Sequence, residues 1–226
     1  RDQSCIDCHK GIAHQLPEQM TFKDPALDQL EQRAQGLSPD KGGHYYTVKA
    51  ITLYLDKELT QPAGELEAAS PVQLQEESSD SVKLLVPAWR KTRGFGRVLY
   101  EDFGMNIKSL VLEKDVAQND ELVKVQAEAK EDELTGLPWE PVEVALWAEQ
   151  GALLPEAEDL WGYARDTYRT ACSVCHSQPA EAHFDANTWP GMFAGMVGFT
   201  NMDADTQALV LKYLQKHSSD YADGAH

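Results

Sequence analysis

The stretch Val82-Lys83-Leu84-Leu85-Val86-Pro87-Ala88-Trp89 stands in the middle of a series of short segments with the periodicity of β-strands. Glycines and a polar run at residues 76–80 separate these segments. Short strands at such spacing predict a small antiparallel barrel. The other candidate strands are residues 48–55, 72–75, 97–100 and 107–112.

The order of these strands and turns resembles a bacterial SH3-like barrel. A further pair of segments, residues 122–129 and 142–148, flanks a turn-rich stretch at 131–138. Glu, Ala and Lys are frequent in both segments, which would also suit helices. Val and Trp at alternate positions favour a hairpin that extends the barrel, so the barrel domain is predicted at 44–154.

Helical patterns lie on both sides of the barrel. Residues 24–35 carry Leu27 and Leu30 at helical spacing, and several Gly and Pro residues follow them. Pro155 is predicted at the first position of a second helix, where acidic residues suit the helix dipole. Residues 203–216 predict a closing helix with Asp203 as its N-cap.

All four cysteines fall in one motif that occurs twice, Cys5-Ile6-Asp7-Cys8-His9 and Cys172-Ser173-Val174-Cys175-His176. C-x-x-C-H is the signature of covalent c-type haem attachment. Cys5, Cys8, Cys172 and Cys175 are therefore predicted to form thioethers to two haems, with His9 and His176 as proximal iron ligands. A zinc site would need further Cys and His ligands, and a thioredoxin-like pair would not explain the repeated His.

The distal ligands are less certain from sequence. For the C-terminal haem, Met196 precedes the closing helix as the loop Met of small single-haem cytochromes c does, and His183 is the alternative. A lone Met can also be core packing. For the first haem, His44 is a possible distal ligand, although the ligand could also lie upstream of Arg1. His14 follows His9 too closely to reach the same iron, so it is either a ligand of a neighbouring haem or a surface residue.

These motifs and patterns together predict an α+β protein. Small α-helical c-type haem segments at both ends, residues 1–43 and 155–226, flank the SH3-like antiparallel barrel. The segment at 1–43 has too little chain for a core of its own, and Arg1 is not a Met, so we expect the chain to be cut from a longer protein.

Composition bears on the partners and the compartment. The net charge of −17 makes nucleic acid and anionic membranes poor partners. No apolar run approaches the ~18 residues of a membrane span. Covalent haem attachment takes place outside the cytoplasm, so a periplasmic location is expected. One basic cluster, Arg90, Lys91, Arg93 and Arg97, would suit an acidic partner, haem propionates or simply a solvated hairpin.

Two stretches resemble a known family. Residues 5–17 look like the fourth haem site of NapC/NirT-type membrane tetrahaem cytochromes, and residues 172–191 resemble the extra C-terminal haem domain of the pentahaem TorC type. The resemblance implies electron transfer from quinol, through upstream haems, to a periplasmic trimethylamine N-oxide reductase. It also implies that His14 serves a different haem, whose own motif lies upstream. The membrane anchor and three haem motifs of that family are not in this sequence.

The predicted function is electron transfer rather than catalysis, with an upstream tetrahaem membrane domain or cytochrome as donor and a terminal reductase as acceptor. Two other classes stay open. One is a module that docks a partner or regulates it, with the haems secondary. The other is a haem enzyme with an open iron position, for which Arg90, Arg93 and His44 are scattered candidates.

Overall fold

The computed structural model describes residues 25–173 and 177–221. Eleven strands and five helices lie in these two ranges. The strands are β1 (His44–Thr47), β2 (Ile51–Tyr54), β3 (Pro62–Leu66), β4 (Pro71–Glu77), β5 (Ser81–Lys91), β6 (Val98–Tyr100), β7 (Lys108–Leu112), β8 (Val123–Val125), β9 (Lys130–Glu131), β10 (Pro138–Glu149) and β11 (Leu153–Leu154). The helices are α1 (Pro25–Gln35), α2 (Lys114–Ala117), α3 (Glu158–Cys172), α4 (Trp189–Val197) and α5 (Ala204–Lys216).

Six antiparallel strands close into a barrel in the order β5-β6-β7-β3-β2-β10. The ring closes because β10 pairs with β5 along almost its whole length, from Trp139↔Lys91 to Glu149↔Ser81. The first half of β5 also pairs with β4, which continues to β1 and β11. The interior is filled by aliphatic side chains at alternate positions, among them Leu53, Leu66, Leu84, Val86, Leu99, Leu110, Leu112, Val144 and Leu146.

The predicted α+β class is confirmed, and the closed barrel agrees with the predicted SH3-like barrel. The segments around 122–129 and 142–148 are strands, since β8 pairs with β10 through Val142↔Val125. The single strand predicted at 48–55 is wrong. The chain leaves the ladder after Thr47, where Val48 N–H bonds to the carbonyl oxygen of Ala152, and pairs again from Ile51.

Two of the predicted helices are confirmed within a residue at their ends, α1 and α5. The Asp203 Oδ1 accepts a hydrogen bond from Thr206 N at 2.8 Å, which confirms it as the N-cap of α5. The start predicted for the second helix is wrong. Leu153 and Leu154 pair with β1 as β11, so Pro155 lies outside the helix, which begins at Glu158.

A second apolar cluster holds the helices together and joins them to the barrel. It takes residues from α1, α3, α4 and α5 and from segments of the barrel domain, so it spans residues on both sides of the predicted boundaries at 43/44 and 154/155. The division into three domains stays a prediction. Fully or almost fully buried members include Leu27, Val48, Ala68, Leu154, Leu160, Tyr168, Trp189, Leu209 and Leu214.

A buried ionic cluster also joins the barrel to α5. Glu101 follows β6, and its two carboxylate oxygens meet Lys212 Nζ at 2.5 Å and Lys216 Nζ at 2.6 Å. Lys212 also donates to Ser70 Oγ at 2.8 Å, and Lys216 pairs with Asp102 at 2.9 Å. The side chains of Glu101 and Lys212 are only 1% and 5% exposed, so this contact fixes the barrel against the helical layer.

Candidate haem-attachment site

Cys172 is the last residue of α3 and begins the second C-x-x-C-H motif. Its side chain is half-buried and packs against the second apolar cluster, and burial raises the pKa of its thiol. The other residues predicted to bind haem directly, together with His14, lie outside the described residues. These are Cys5, Cys8, His9, His14, Cys175 and His176.

Tyr168 lies one turn before Cys172 and connects α3 to the segment that follows the motif. Its side chain is buried, and its Oη donates a hydrogen bond of 2.8 Å to the carbonyl oxygen of Pro179, three residues after the motif. Burial raises the pKa of Tyr168 far above its ordinary value, so the phenol keeps the proton that it donates. The segment that follows the motif is therefore held against α3 at Pro179.

The segment after the motif is pinned against the last two helices. Trp189 at the start of α4 is fully buried, and its Nε1 donates to the carbonyl oxygen of Glu181 at 2.9 Å. The carboxylate of Glu181 accepts a hydrogen bond of 2.9 Å from Tyr213 Oη on α5. Burial, together with this neighbouring carboxylate, raises the pKa of Tyr213 to about 12, so the hydroxyl remains a donor.

Helix α4 has one buried stripe and otherwise presents apolar surface to solvent. Trp189 and Phe193 are buried in the cluster, whereas Met192 is 39% exposed and Phe199, just after the helix, 64%. A Cβ on Gly191 or Gly195 would meet no atom within 4 Å. A helix with this much uncovered apolar surface fits a large flat apolar group such as a porphyrin, which would take that surface out of water.

The candidate distal ligands lie in different parts of the fold. Met196 is half-buried in the last turn of α4 rather than in a loop, one turn after Met192. His183 ends a 3₁₀ turn (Glu181–His183), is exposed, and contacts the Phe184 ring at 4.5 Å between centroids. His44 is exposed at the start of β1, on the barrel. Cys172, His183 and Met196 thus share the helical layer, whereas His44 does not, and all three ligand roles stay predictions.

Sequence reasoning misses the contacts that shape this site. Tyr168 is recognisable as part of the apolar face of the helix, but its hydrogen bond to Pro179 depends on the chain folding back after the motif. Trp189 begins α4, a helix that the sequence analysis does not predict in this Pro- and Gly-rich stretch, although Thr188 at the N-cap and Pro190 in the first turn are residue types typical of a helix start. The spacing of aromatic residues on both sides of Cys172 is the sequence signal that could have indicated these contacts.

Helices α1 and α3 enclose a groove of about 580 Å³ beside this site. Arg33 NH1 meets Asp159 Oδ2 at 2.6 Å, which places the end of α1 at the start of α3. The groove is walled by Ala26, Leu30 and Arg33 from α1 and by Asp159, Tyr163 and Thr170 from α3. The two helices therefore run in opposite directions, and α1 begins near the end of α3 that carries Cys172.

Of the helices in the described ranges, none has the length and apolar character needed to cross a membrane.

Comparison with known proteins gives a consistent family. The family described as "TorC third cytochrome c domain" matches residues 39–153, half of the chain. The cytochrome c-type protein TorC of Escherichia coli (strain K12) is 34% identical over 225 residues, which are 100% of this chain and 56% of that protein. The cytochrome c-type protein TorY of Haemophilus influenzae is 26% identical over 226 residues, 97% of this chain and 57% of that protein.

The chain spans about half the length of the curated relatives that it matches. No solved structure matches it significantly. The segment matched by the family is the barrel, and it contains no cysteine, since the four cysteines stand at 5, 8, 172 and 175. By this match the chain belongs to the TorC family of c-type cytochromes.

Proposed function

We propose that this chain is a periplasmic dihaem part of a cytochrome that relays electrons from upstream, quinol-fed haems to a terminal reductase such as trimethylamine N-oxide reductase. One observation carries the proposal. All four cysteines fall in two C-x-x-C-H motifs, and the second motif begins at Cys172, which lies half-buried at the end of α3 against the second apolar cluster. A chain that attaches two haems has the minimum that a relay within it requires.

The residues that would hold the cofactor follow from the motifs. Cys5 and Cys8, and likewise Cys172 and Cys175, would form thioethers to one haem each, with His9 and His176 as proximal ligands. Haem c supplies an iron that alternates between the ferric and ferrous states. The fit to this structure rests on Cys172, which lies half-buried at the edge of the apolar cluster, and on the uncovered apolar surface of α4.

The protein's own residues would set the position of the second haem and keep water from it. Tyr168 holds Pro179 against α3, and Trp189 binds the carbonyl oxygen of Glu181 in the following segment. Both side chains are fully buried, so these anchors belong to the core. A haem on Cys172 would thus sit beside an anchored part of the fold, and positioning is what electron transfer asks of the protein.

A second function is favoured by the absence of cysteine from the barrel sequence. Residues 39–153 carry the family match without a cysteine, so this domain serves something other than attaching haem. A docking or regulatory module, with the barrel as its partner-binding part, accounts for that observation.

The relay is tested by reoxidation. The reduced holoprotein is mixed with trimethylamine N-oxide reductase, and the visible haem absorption is followed after trimethylamine N-oxide is added. We expect both haems to be reoxidised only when reductase and substrate are present. If the haems stay reduced while the reductase is shown to be active with another donor, the proposed acceptor is wrong.

The distal ligand is tested by comparing Met196→Leu with Met192→Leu in a potentiometric titration. The two residues lie one turn apart on α4, so the second variant controls for the loss of a thioether in the same helix. We expect Met196→Leu to remove the higher of two potentials, because a Met ligand raises the potential of a haem. Unchanged potentials and spectra in Met196→Leu would leave His183 as the residue to test.

A further inference from the structure

A short loop between β5 and β6 exposes an aromatic side chain between two arginines. Gly94 and Gly96 have φ values of +107° and +63°, which L side chains rarely adopt. Between them Phe95 is 82% exposed. Arg93 and Arg97 flank it, and both are exposed as well. The two glycines thus fix a tight turn that exposes the Phe95 ring, and an exposed arginine stands two residues away on each side of it in the sequence.

Beside the loop lies a groove of about 380 Å³ whose lining includes Lys91 and Tyr100. The Lys91 ammonium donates to Asn106 Oδ1 at 2.6 Å and lies 4.7 Å from the centre of the Tyr100 ring. It also lies 4.8 Å from the Trp139 ring. These contacts use one hydrogen of the ammonium group and hold the charge in place at the groove.

The four basic residues singled out in the sequence divide into two roles. Arg90 is half-buried and pairs with Glu140 at 2.6 Å, so its charge is neutralised within the barrel. Arg97 Nε donates to the carbonyl oxygen of Leu112 at 2.8 Å, and the exposed carboxylate of Glu113 lies 3.8 Å from its NH2, so its charge is only weakly compensated. Lys91, Arg93 and Arg97 therefore leave positive charge at the groove of a chain whose net charge is −17.

We propose that this groove and the loop at 92–97 form a docking surface for an acidic segment of a partner protein that also carries an apolar side chain. Arginine and aromatic residues are the types that dominate binding energy at protein interfaces. Carboxylates of the partner would pair with Arg93 and Arg97, and an apolar side chain would cover Phe95 and the aliphatic wall formed by Val98 and Val111. The bulk charge of the chain repels acidic proteins elsewhere, so this site would also set the orientation of docking.

This surface does not depend on the proposed relay. It lies in the barrel, which carries no cysteine, and binding can be measured without electron transfer. Failure of the reoxidation experiment would leave the docking surface standing, and loss of the docking surface would leave the haem chemistry standing.

The test uses the holoprotein and a fluorescein-labelled peptide of repeated glutamate, aspartate and leucine, with fluorescence anisotropy as the readout. A peptide of glutamine, asparagine and leucine is the uncharged probe. Three variants are compared: Arg93→Gln/Arg97→Gln, Phe95→Ser, and the matched control Lys41→Gln/Lys124→Gln. The control removes two positive charges at exposed positions away from the groove. Thermal melting verifies that each variant is folded.

We expect the acidic peptide to bind the wild type, and the uncharged peptide not to bind. Arg93→Gln/Arg97→Gln should weaken binding roughly ten-fold or more, with a smaller dependence on salt, because two charge contacts are lost. Phe95→Ser should weaken binding without changing the salt dependence. The proposal is overturned if the wild type does not bind, or if the control double variant loses as much affinity as the arginine variant.

Discussion

At the scale of single residues, the buried ionic cluster around Glu101 fixes the barrel against the helical layer. Burial alone would raise the pKa of Glu101, but the ammonium groups of Lys212 and Lys216 outweigh burial and hold the pKa below its usual value. Burial lowers the pKa of Lys212, and Glu101 opposes that shift. Each charge in this cluster is tolerated only because the others are present.

Glu101→Gln should therefore be strongly destabilising. It leaves Lys212 buried without its counter-charge, which costs about 3–5 kcal/mol. The free energy of unfolding in urea measures the loss. Glu113→Gln is the control, because its ion pair with Arg97 is long and exposed and is worth at most ~1 kcal/mol. Equal stability of the two variants would contradict the role given to the cluster.

The same cluster predicts how stability responds to acid. The pKa of Glu101 in the folded protein lies below the value of 4.5 that the group has when exposed. Its contribution is thus complete above pH 4.5 and is lost as the pH falls from there through the folded pKa. Urea titrations of the wild type and of Glu101→Gln should converge as the pH drops below 4.5. Parallel curves would show that other carboxylates cause the acid sensitivity.

At the scale of elements, β3 shows where a local pattern fails and why. Pro62–Leu66 contains a Pro and a Gly, which are both depleted in strands, so the sequence does not predict it. Gly64 is required there by its neighbour, since a Cβ would stand 2.5 Å from the carbonyl oxygen of Val111 in β7. The close pairing of β3 with β7 helps to close the barrel.

Gly64→Ala should therefore loosen the barrel. The clash is with the backbone and cannot be relieved by a rotamer change, so we expect a loss of stability of about 1–3 kcal/mol, as for other overpacked sites. Gly162→Ala in α3 is the matched control. A Cβ there meets no atom within 4 Å, and Ala in a helix should stabilise by roughly 0.5–1 kcal/mol. Thermal melting should show a lower midpoint for Gly64→Ala and a higher midpoint for Gly162→Ala. An unchanged midpoint for Gly64→Ala would contradict the predicted clash.

The elements that the sequence does predict are those governed by local rules. The strands of the barrel show period-two burial, and α5 begins at a capping Asp203 whose hydrogen bond lies within the same turn. The sequence did not predict β11, because Leu153 and Leu154 are ordered by their pairing with distant β1, and the helix begins at Glu158, three residues after the predicted start. Local sequence patterns do not contain information about a strand partner that lies more than a hundred residues away.

At the scale of the whole molecule, the barrel and the helical layer are joined by two kinds of contact. The second apolar cluster takes members from both, and the Glu101 cluster adds buried charge between β6 and α5. Neither part could unfold without exposing buried surface of the other. The described part of the chain should therefore unfold cooperatively.

Hydrogen exchange measures that cooperativity. The amides of Val144 in β10 and Leu209 in α5 should exchange through the same opening, with the same dependence on denaturant, because both are buried in coupled cores. In Glu101→Gln the two should separate, and α5 should open first. Independent opening of α5 in the wild type would mean that the barrel and the helical layer are separate folding units.

For the candidate site, the sequence predicts the chemistry of haem attachment but not the contacts that hold the surrounding segments. C-x-x-C-H predicts the attachment residues without any structure, because haem attachment needs those residues at that spacing. Glu101 and Lys212 are 111 positions apart, and Tyr168 and Pro179 are 11 positions apart on either side of the motif. Contacts set by the return of the chain have no local pattern, so the sequence gives no sign of them.

The proposed relay requires two haems, at Cys5–Cys8 and Cys172–Cys175, and the mass of the intact holoprotein counts them. Wild type matured in a host that attaches haem c should carry the mass of two haems, and Cys172→Ser/Cys175→Ser should carry one. Cys5→Ser/Cys8→Ser should also carry one. A wild-type mass with one haem, or none, would contradict the account and leave the barrel's docking surface as the function to pursue.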